Sequence, residues 1–392
     1  MNLKVLLFGL FILLLPVTGC VTEYNAMLPE NDTKILFVSG NIIENTDVTF
    51  HISQSFSLDI DKVPEESYVD NATLTIIGSD GYKSPPAINR GKGTYQITTG
   101  NLEDDVEYGI QIEYDGDIYQ SIPAKPLYTP EIDSISWMQP DSIGPVFFHI
   151  STHDNPGKAK FFMWIYTEDW EIKTVYPTSI FYNPERNDFY ADFSLPYYYC
   201  WKKNESYLVG STESFGENKI VNNLLYEHGS EDERFSVLYS VTVNQKAIGK
   251  GAYEYYQNIK RLNEETGGLF TPQPSELTGN ITCITDPSKK VMGYVEAAKN
   301  ISQKRIFVYS EQLKRPVIHS NCAPRHKDNG LPTPYEYAYF YGRGYRPAMI
   351  DMILFSSYEI IVPSEWALEH CTDCRANGGT KNKPDFWPNW HW

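Results

Sequence analysis

The sequence predicts a mainly β protein, with an N-terminal immunoglobulin-like β-sandwich, a second β domain that carries one packed α-helix, and a cysteine-rich C-terminal extension. Aromatic residues make up 14% of the 392 residues, and 29 of them are Tyr, a residue that favours strands. The 26 Gly and 25 Pro separate many short apolar runs, as turn residues do. A helical period interrupts this pattern in one long segment, between Lys250 and Thr266.

Residues 1–19 predict a secretory signal peptide. A single basic residue precedes an apolar run over residues 5–15. This run is too short to span a bilayer, but its length suits the core of a signal peptide. The end of the segment, Val17-Thr18-Gly19-Cys20, resembles a bacterial lipobox, in which the cysteine is acylated after cleavage. We therefore expect a lipidated Cys20, at the start of a tether over residues 20–33, to anchor the protein to a lipid bilayer outside the cytoplasm.

Residues 34–128 predict the β-sandwich. The segment from Tyr108 to Tyr119 is typical of a hairpin, because apolar and polar residues alternate and Asp115-Gly116 favours the positive φ angles of a tight turn. Further strand-like runs lie at residues 35–38, 48–52, 72–77 and 94–98. So many short strands within about 100 residues indicate a small antiparallel sandwich. The prolines that predict its C-terminal boundary are Pro123, Pro126 and Pro130.

Residues 129–314 predict the second β domain. The strongest strand candidate is Phe235 to Val243, whose odd positions are apolar as in a sheet with one buried face. Apolar residues then recur at spacings of three and four, namely Ala252, Tyr255, Tyr256, Ile259 and Leu262. They predict a helix over 250–266 that packs on the second sheet and stops at Gly267-Gly268. Strand-like runs resume at residues 281–284, 291–295 and 305–308, which we place in the same domain.

Six cysteines are present, and export exposes them to an oxidising environment. They are Cys20, Cys200, Cys283, Cys322, Cys371 and Cys374. With Cys20 acylated, we expect disulfides among the four in the last third of the chain, for which three pairings are possible. These four are Cys283, Cys322, Cys371 and Cys374. Cys200 lies within an aromatic run, and we expect it to be a buried thiol.

A metal centre is the alternative for the same cysteines. Cys371 and Cys374 have the spacing of half a zinc site. The residues that could complete it are His319, Cys322, His326 and His370. Redox exchange between thiols is a third interpretation. We favour disulfides because the protein is predicted to be exported, and we expect no metal and no other cofactor.

The extension over residues 315–392 is rich in aromatic residues. Its candidates for a ligand platform or a protein interface are Tyr339, Tyr341, Trp387, Trp390 and Trp392. Rigid aromatic side chains dominate many such contacts, which makes this interpretation worth testing. The alternative, which we favour, is a tail that folds over the second domain and is held there by its cysteines. The two interpretations are compatible.

Composition and motifs argue against two functional classes. A net charge of −17 repels phosphates, so a nucleic acid is not an expected partner. Nucleophilic catalysis needs a Ser or Cys beside a His and an acid, and Ser275 has no His near it in the sequence. The run Glu103-Asp104-Asp105 lacks the spacing of a calcium loop and is typical of a solvated turn. We therefore do not expect an enzyme.

Several segments of the sequence resemble a known family. They are Tyr253–Tyr256, Gly268–Ser275, Gly279–Cys283, Met292–Val295, Cys371–Thr380 and Lys383–Trp387. Together with the lipobox, they are similar to the Bacteroidetes lipoproteins grouped as domain of unknown function 4249. The resemblance implies an outer-membrane lipoprotein that helps a neighbouring TonB-dependent receptor barrel to take up a nutrient. It implies no catalytic or ligand-binding residues, because none is established for the family.

These observations lead to an expected function. We expect an accessory subunit, for cargo binding or gating, of a TonB-dependent nutrient transporter, anchored in the outer membrane through Cys20. Its cargo is not identified. We expect it to face the cell exterior, although one acid, Glu23, follows the cysteine closely where surface-exported members often carry several. The alternatives are a surface enzyme that trims cargo at a Cys/His metal centre, and an adhesin or assembly factor without a barrel partner.

Overall fold

Two β-sandwich lobes, one long helix and a disulfide-linked C-terminal extension make up the described part of the chain, so the predicted mainly β fold class is confirmed. The computed structural model describes residues 34–56, 64–141, 143–154, 158–215, 217–265, 279–315, 322–326, 332–354 and 359–389. Outside these residues lie the predicted signal peptide, Cys20 and its tether, Gly267-Gly268, Ser275, His319, Trp390 and Trp392. Among the helices of the described residues, none is long and apolar enough to cross a bilayer.

The first lobe is the predicted N-terminal sandwich. Its strands from the start of the chain are β1 (Leu36–Ser39), β2 (Ile42–Ile43), β3 (Asp47–Gln54), β4 (Thr73–Gly78), β5 (Ile88–Gly91), β6 (Thr94–Thr98), β7 (Tyr108–Tyr114) and β8 (Asp117–Ser121). Alternation in β3 points Val48, Phe50 and Ile52 into the core between its two sheets. The predicted β7–β8 hairpin is confirmed, with φ angles of 52° at Asp115 and 79° at Gly116.

The second lobe packs a three-stranded sheet, β15-β10-β9, on a four-stranded sheet, β14-β11-β16-β20. The strands after β8 are β9 (Ile132–Met138), β10 (Val146–His153), β11 (Phe161–Lys173), β12 (Ile180–Asn183), β13 (Asp188–Ala191), β14 (Tyr199–Ser211), β15 (Lys219–His228), β16 (Leu238–Ile248), β17 (Ile281–Cys283), β18 (Val291–Met292), β19 (Ala297–Ala298) and β20 (Ser302–Tyr309). The alternation over Phe235 to Val243 predicted one buried face. Strand β16 is instead central and buried on both faces, because other elements cover its second face.

Three short strands that follow the helix complete the first lobe. Strand β17 pairs with β8, while β18 and β19 pair in parallel with β1 and β2. The prediction that placed these runs in the second domain was therefore wrong, and of the runs beyond the helix only β20 joins the second lobe. Strands of two or three residues carry no periodic signal that would assign them to one sheet rather than another.

The helix α1 (Lys250–Glu265) lies within its predicted range. Ala252 is buried against Phe161, Met163 and Val209 of the four-stranded sheet, and the ring centroids of Tyr253 and Phe161 are 4.9 Å apart. The predicted packing of this helix on the second sheet is therefore confirmed.

The C-terminal extension forms a small sheet, β21-β23-β22, with a short helix beside it. Its elements are β21 (Arg325–His326), α2 (Tyr337–Gly342), β22 (Tyr345–Leu354) and β23 (Glu359–Leu368). An aromatic cluster of Tyr182, Tyr337 and Trp366 packs it against the β12–β13 hairpin of the second lobe. The extension is thus joined to the second lobe by an apolar contact as well as by disulfides.

Two disulfides are present, Cys200–Cys374 and Cys322–Cys371. Cys322 and Cys371 therefore pair within the predicted set of four, whereas Cys374 pairs outside it, with Cys200. The predictions of a bridged Cys283 and of an unpaired Cys200 were wrong. Cys283 is a buried free thiol, because β17 belongs to the first lobe, whereas the paired cysteines all lie in the second lobe and the extension. Cys200 is paired because its strand, β14, lies at the sheet edge that the extension covers.

Candidate functional site

The outer face of the four-stranded sheet is divided into three bands along β11. Alternation points Phe162, Trp164 and Tyr166 into the core, so the odd-numbered residues lie on the outer face. These are apolar from Phe161 to Ile165, polar at Thr167 and Asp169, and acidic at Glu171. Helix α1 covers the apolar band.

Residues 374–387, which we call the C-terminal strap, cover the band at Glu171. At the β14 edge, the Cys200–Cys374 disulfide holds the start of the strap. Next to it, the backbones of Trp201 and Thr380 exchange two hydrogen bonds of 2.9 Å, as in an antiparallel bridge. The strap therefore begins as a covalently fixed addition to the edge of the sheet.

The other end of the strap reaches the opposite edge strand, β20. The Trp387 Nε1 donates to Glu171 Oε2 at 3.2 Å, and the ring of Trp387 packs against Phe307 with centroids 5.8 Å apart. Phe386 packs on the same Phe307 ring. Because Trp387 is only 3% exposed, it anchors the strap to the sheet.

Between α1 and the strap lies an open cavity of about 920 Å³, which we call the outer-face groove. Its lining residues come from all four strands and from the strap: Thr167, Asp169, Trp170, Trp201, Lys202, Lys203, Glu233, Thr242, Asn244, Gln303, Arg305, Gly378, Thr380, Asn382, Pro384, Asp385 and Phe386. Its volume lies in the upper part of the range of roughly 300–1,000 Å³ that is typical of small-molecule sites.

Asp169 lies on the floor of the groove. Its side chain is 6% exposed, yet it makes no hydrogen bond or ion pair with any other described residue. Burial raises the pKa of this carboxyl, whereas the charges of Lys203 and Arg305 lower it. Because the groove is open, the free acceptor positions of Asp169 are available to water or to a bound molecule.

Arg305 offers donors on the same floor. Its Nε donates to Thr242 Oγ1 at 2.6 Å, and its guanidinium carbon lies 3.3 Å from the ring centroid of Phe386. These two contacts fix the plane of the guanidinium, and its terminal nitrogens have no partner among the described residues. Burial lowers the pKa of Arg305, and the charge of Asp169 opposes this effect. A fixed fork of donors thus faces the groove.

A second acidic residue, Glu168, lies on the core side of the same strand and is fully occupied. It accepts hydrogen bonds from His228 Nε2 at 2.6 Å, Tyr239 Oη at 2.7 Å and Asn204 Nδ2 at 3.0 Å. Burial raises the pKa of Glu168, whereas the hydrogen bonds from His228 and Asn204 lower it. The lowering effects together are larger, so the pKa of Glu168 lies below its usual value. We assign Glu168 a structural role, in contrast to Asp169.

The predicted aromatic platform is only partly assembled. Trp387 is buried in the strap contact, so its prediction as an exposed platform residue was wrong, and the alternative of a tail that folds over the second domain describes it instead. Tyr339 is 56% exposed, with Arg343 over its ring. Tyr341 lines a separate cavity of about 170 Å³ with Tyr182. Trp390 and Trp392 lie outside the described residues.

The predicted alternative metal ligands do not form a usable set. Potential ligand atoms of Cys322, His370 and Cys371 lie within 4.8 Å of one another, but the two sulfurs are bonded to each other and cannot act as thiolates. The sulfur of Cys374 is used in the other disulfide, and His326 Nδ1 pairs with Glu365 at 2.8 Å. His319 is outside the described residues. These residues do not fit a zinc centre.

The sequence analysis missed the residues of the outer-face groove. One signal was available, because the run Glu168-Asp169-Trp170-Glu171 places three acids inside a strand, where charged residues are uncommon. Asp169 and Arg305 belong to strands that are not neighbours in the sequence. Their proximity depends on the strand order and could not be deduced from local patterns.

The sequence matches one protein family, described as "Domain of unknown function (DUF4249)", over residues 21–304. No curated protein matches the chain. The matched segment includes the first lobe, helix α1 and three of the four strands that carry the groove floor; the strap lies beyond it. Since the match covers well over half of the 392 residues, the chain belongs to the DUF4249 family.

Proposed function

We propose that the protein is an outer-membrane lipoprotein that binds a cargo molecule in the outer-face groove and acts as an accessory subunit of a TonB-dependent nutrient transporter. The observation that carries the binding role is the groove itself. Its floor holds an unpartnered buried carboxylate, Asp169, and an oriented guanidinium with free donors, Arg305. Both groups face the open groove, where the polar groups of a ligand can replace water as their hydrogen-bond partners.

Among its described lining residues, the groove lacks those of Ser- or Cys-dependent catalysis, which supports a binding role. Its lining residues include no Cys, Ser or His that could act as a nucleophile or as its base. Among its acids, Glu233 is already paired with Lys202 Nζ, at 2.7 and 2.9 Å. A rigid floor with unused hydrogen-bonding groups is what a binding protein requires.

The membrane location and the barrel partner are supported by the sequence. The lipobox that ends at Cys20 supports lipid anchoring, since each buried CH₂ of an acyl chain contributes about 0.8 kcal/mol to membrane binding. The family resemblance supports an outer-membrane location and a TonB-dependent barrel as partner. The acyl anchor would keep the groove close to the mouth of such a barrel and so raise the effective concentration of cargo there.

The experiment that tests this role is a pull-down of the tagged, lipidated protein from gently solubilised outer membranes, with mass-spectrometric identification of the proteins that co-purify. We expect a TonB-dependent barrel in stoichiometric amount. The Cys20→Ala variant is the matched control, and it should leave the membrane fraction and lose the barrel. A protein that comes down alone in several detergents would contradict the accessory role, and a different stoichiometric partner would favour an adhesin or assembly factor.

A second measurement separates cargo binding from barrel binding. The double variant Asp169→Ala/Arg305→Ala removes both unpartnered groups from the groove floor and leaves the lipid anchor unchanged. We expect it to retain the barrel in the pull-down but to support slower growth when the nutrient is limiting. If growth is unchanged, the groove does not handle the cargo.

A further inference from the structure

The hydrogen-bonding groups on the groove floor have a specific arrangement across the sheet. Asp169 lies directly opposite Lys203 of β14, and Thr167 lies opposite Thr242, which in turn lies opposite Arg305 of β20. Directly opposite residues have Cβ atoms roughly 4.5–5.5 Å apart. A carboxylate acceptor therefore lies between an ammonium and a guanidinium on one narrow strip of the sheet.

These charged groups form no close ion pair with one another, and their charges interact only at longer range. No N···O distance of 4.0 Å or less joins Asp169 to Lys203 or Arg305, and Lys203 also has no ion-pair or hydrogen-bond partner among the described residues. An anionic ligand on this strip would lie against Asp169 and the nearby Asp385. A cationic ligand would lie against Lys203 and Arg305. Neither kind of charge is complementary to the whole floor.

A hydroxyl group matches both halves of the strip. It donates to a carboxylate and accepts from a guanidinium or ammonium, so one class of group satisfies every unpartnered residue on the floor. Asn244 and Gln303 extend the floor with amides, of which Gln303 Nε2 donates to Asn244 Oδ1 at 2.7 Å and the remaining donors and acceptors can reach a ligand. A ligand with many hydroxyl groups and no net charge is therefore the best match.

The walls of the groove suit ring-shaped units that have apolar faces. Trp201 lines it on the β14 side, and Phe386 lines it on the strap side. The groove is open rather than enclosed, and its volume of about 920 Å³ exceeds what one small ring would fill. These dimensions favour several linked rings lying along the groove.

The geometry disfavours a peptide. Peptides are commonly recognised by strand addition at a sheet edge or by apolar pockets for their side chains. The groove lies over the face of the sheet, and at the β14 edge the backbone of Trp201 is already paired with Thr380. The polar floor provides no apolar pocket of that kind.

We infer that the outer-face groove is a saccharide site that takes a short neutral oligosaccharide, with Asp169 and Arg305 holding its hydroxyl groups and Trp201 and Phe386 contacting its rings. This inference rests on the proposed cargo-binding function and names the class of cargo. Site selectivity follows from the same groups, because a buried carboxylate and a half-buried guanidinium that lose their hydroxyl partners penalise ligands without them.

The test is isothermal titration of the full mature chain, made soluble by Cys20→Ser, with a panel of linear oligosaccharides. The panel holds neutral gluco-, manno-, galacto- and xylo-oligosaccharides, together with uronic-acid and amino-sugar oligosaccharides of matched length. We expect at least one neutral oligosaccharide to bind, and to bind more tightly than the charged ones. The variants Asp169→Asn and Arg305→Lys should each weaken this binding at least tenfold.

Two controls keep the outcomes interpretable. Asp105→Asn makes the same chemical change on the exposed surface of the first lobe and should leave saccharide affinity unchanged. The melting temperature of each variant shows whether it folds, and Asp169→Asn is expected to keep that of the parent because its carboxylate has no partner to lose. The inference is overturned if no neutral member of the panel binds, if the charged members bind better, or if both groove variants bind like the parent.

Failure of the saccharide inference can be distinguished from failure of the proposed transporter function. A barrel that co-purifies with a protein that binds no saccharide would overturn the saccharide assignment alone. A protein that binds a neutral saccharide but recovers no barrel would overturn the transporter role alone.

Discussion

The two sandwich lobes share an architecture but differ in what covers their outer faces. In the first lobe, Phe50, Leu74 and Ile110 are completely buried between the sheets, while His51 and Thr49 on the outer side of β3 are exposed. In the second lobe, α1 and the C-terminal strap cover two bands of an outer face and leave the polar band between them as a groove. The polar band of this sheet face becomes a candidate binding site because α1 and the C-terminal strap form walls on either side of it.

Covalent bonds follow the same division. Both disulfides tie the extension together or to the second lobe, whereas Cys283 of the first lobe is a free thiol in an apolar core. The first lobe therefore has no disulfide among its described residues, whereas one wall of the groove has a covalent anchor. This difference leads to predictions that separate global stability from the integrity of the groove.

The largest effect is expected from Cys200→Ala/Cys374→Ala. The Cys200–Cys374 disulfide closes a loop of 174 residues, so its loss should reduce the free energy of unfolding by about 4 kcal/mol. We also expect the strap amides, including that of Thr380, to exchange hydrogen much faster, as measured by mass spectrometry.

The matched control is Cys322→Ala/Cys371→Ala, which opens a loop of 49 residues. On loop length alone it should cost about 1 kcal/mol less than the other pair. Strap exchange should stay slow in this variant. Equal strap protection in the two variants would mean that the Cys200–Cys374 bond does not hold the wall of the groove.

Leu74→Ala tests the other side of the comparison. Leu74 is completely buried in the first-lobe core, so its truncation should cost about 3 kcal/mol in denaturant unfolding. Because the groove lies in the second lobe, strap exchange and ligand binding should match the parent at temperatures where the variant is folded. Weakened binding in the folded variant would show that the lobes are coupled.

Glu168→Gln probes the core beneath the groove and gives a pH dependence. Replacing a carboxylate that accepts from His228, Tyr239 and Asn204 should cost about 2 kcal/mol at pH 7. The pKa of Glu168 is lower in the folded state than its usual value, so the parent's advantage is present above about pH 4.5 and is lost as the pH falls through the folded-state pKa. The difference in unfolding free energy between parent and variant should therefore be full at pH 7 and should shrink as the pH is lowered below about 4.5.

The sequence predicted the elements whose signal is local. The β7–β8 hairpin was marked by Asp115-Gly116, and α1 by its spaced aromatic residues, because turn chemistry and side-chain period act over a few residues. The return of β17 to the first lobe was not predictable in this way. Its three residues pair with β8, more than 150 positions earlier in the chain.

The candidate site was harder to predict for the same reason. Trp387 was named as a candidate for a platform or interface, and the favoured folded tail left its contact unspecified, because the sequence does not reveal that Glu171 accepts its indole N–H. Asp169 and Arg305 lie on different strands of one sheet, and their juxtaposition arises from strand order. Long-range pairing therefore determines the site more than any single motif does.

The smallest effect is expected at the far end of the strap, from Trp387→Phe. The substitution keeps ring packing against Phe307 but removes the donor to Glu171 Oε2, which should cost about 1 kcal/mol. A double-mutant cycle with Glu171→Met isolates this pair, because both partners are buried and in direct contact. If the cycle gives a coupling near zero while Cys200→Ala/Cys374→Ala releases the strap, the strap is held mainly at the β14 edge, by the disulfide and the Trp201–Thr380 backbone bonds. A coupling of about 1 kcal/mol would instead mean that the strap is fixed at both edges of the sheet, by the disulfide at β14 and by Trp387 near β20.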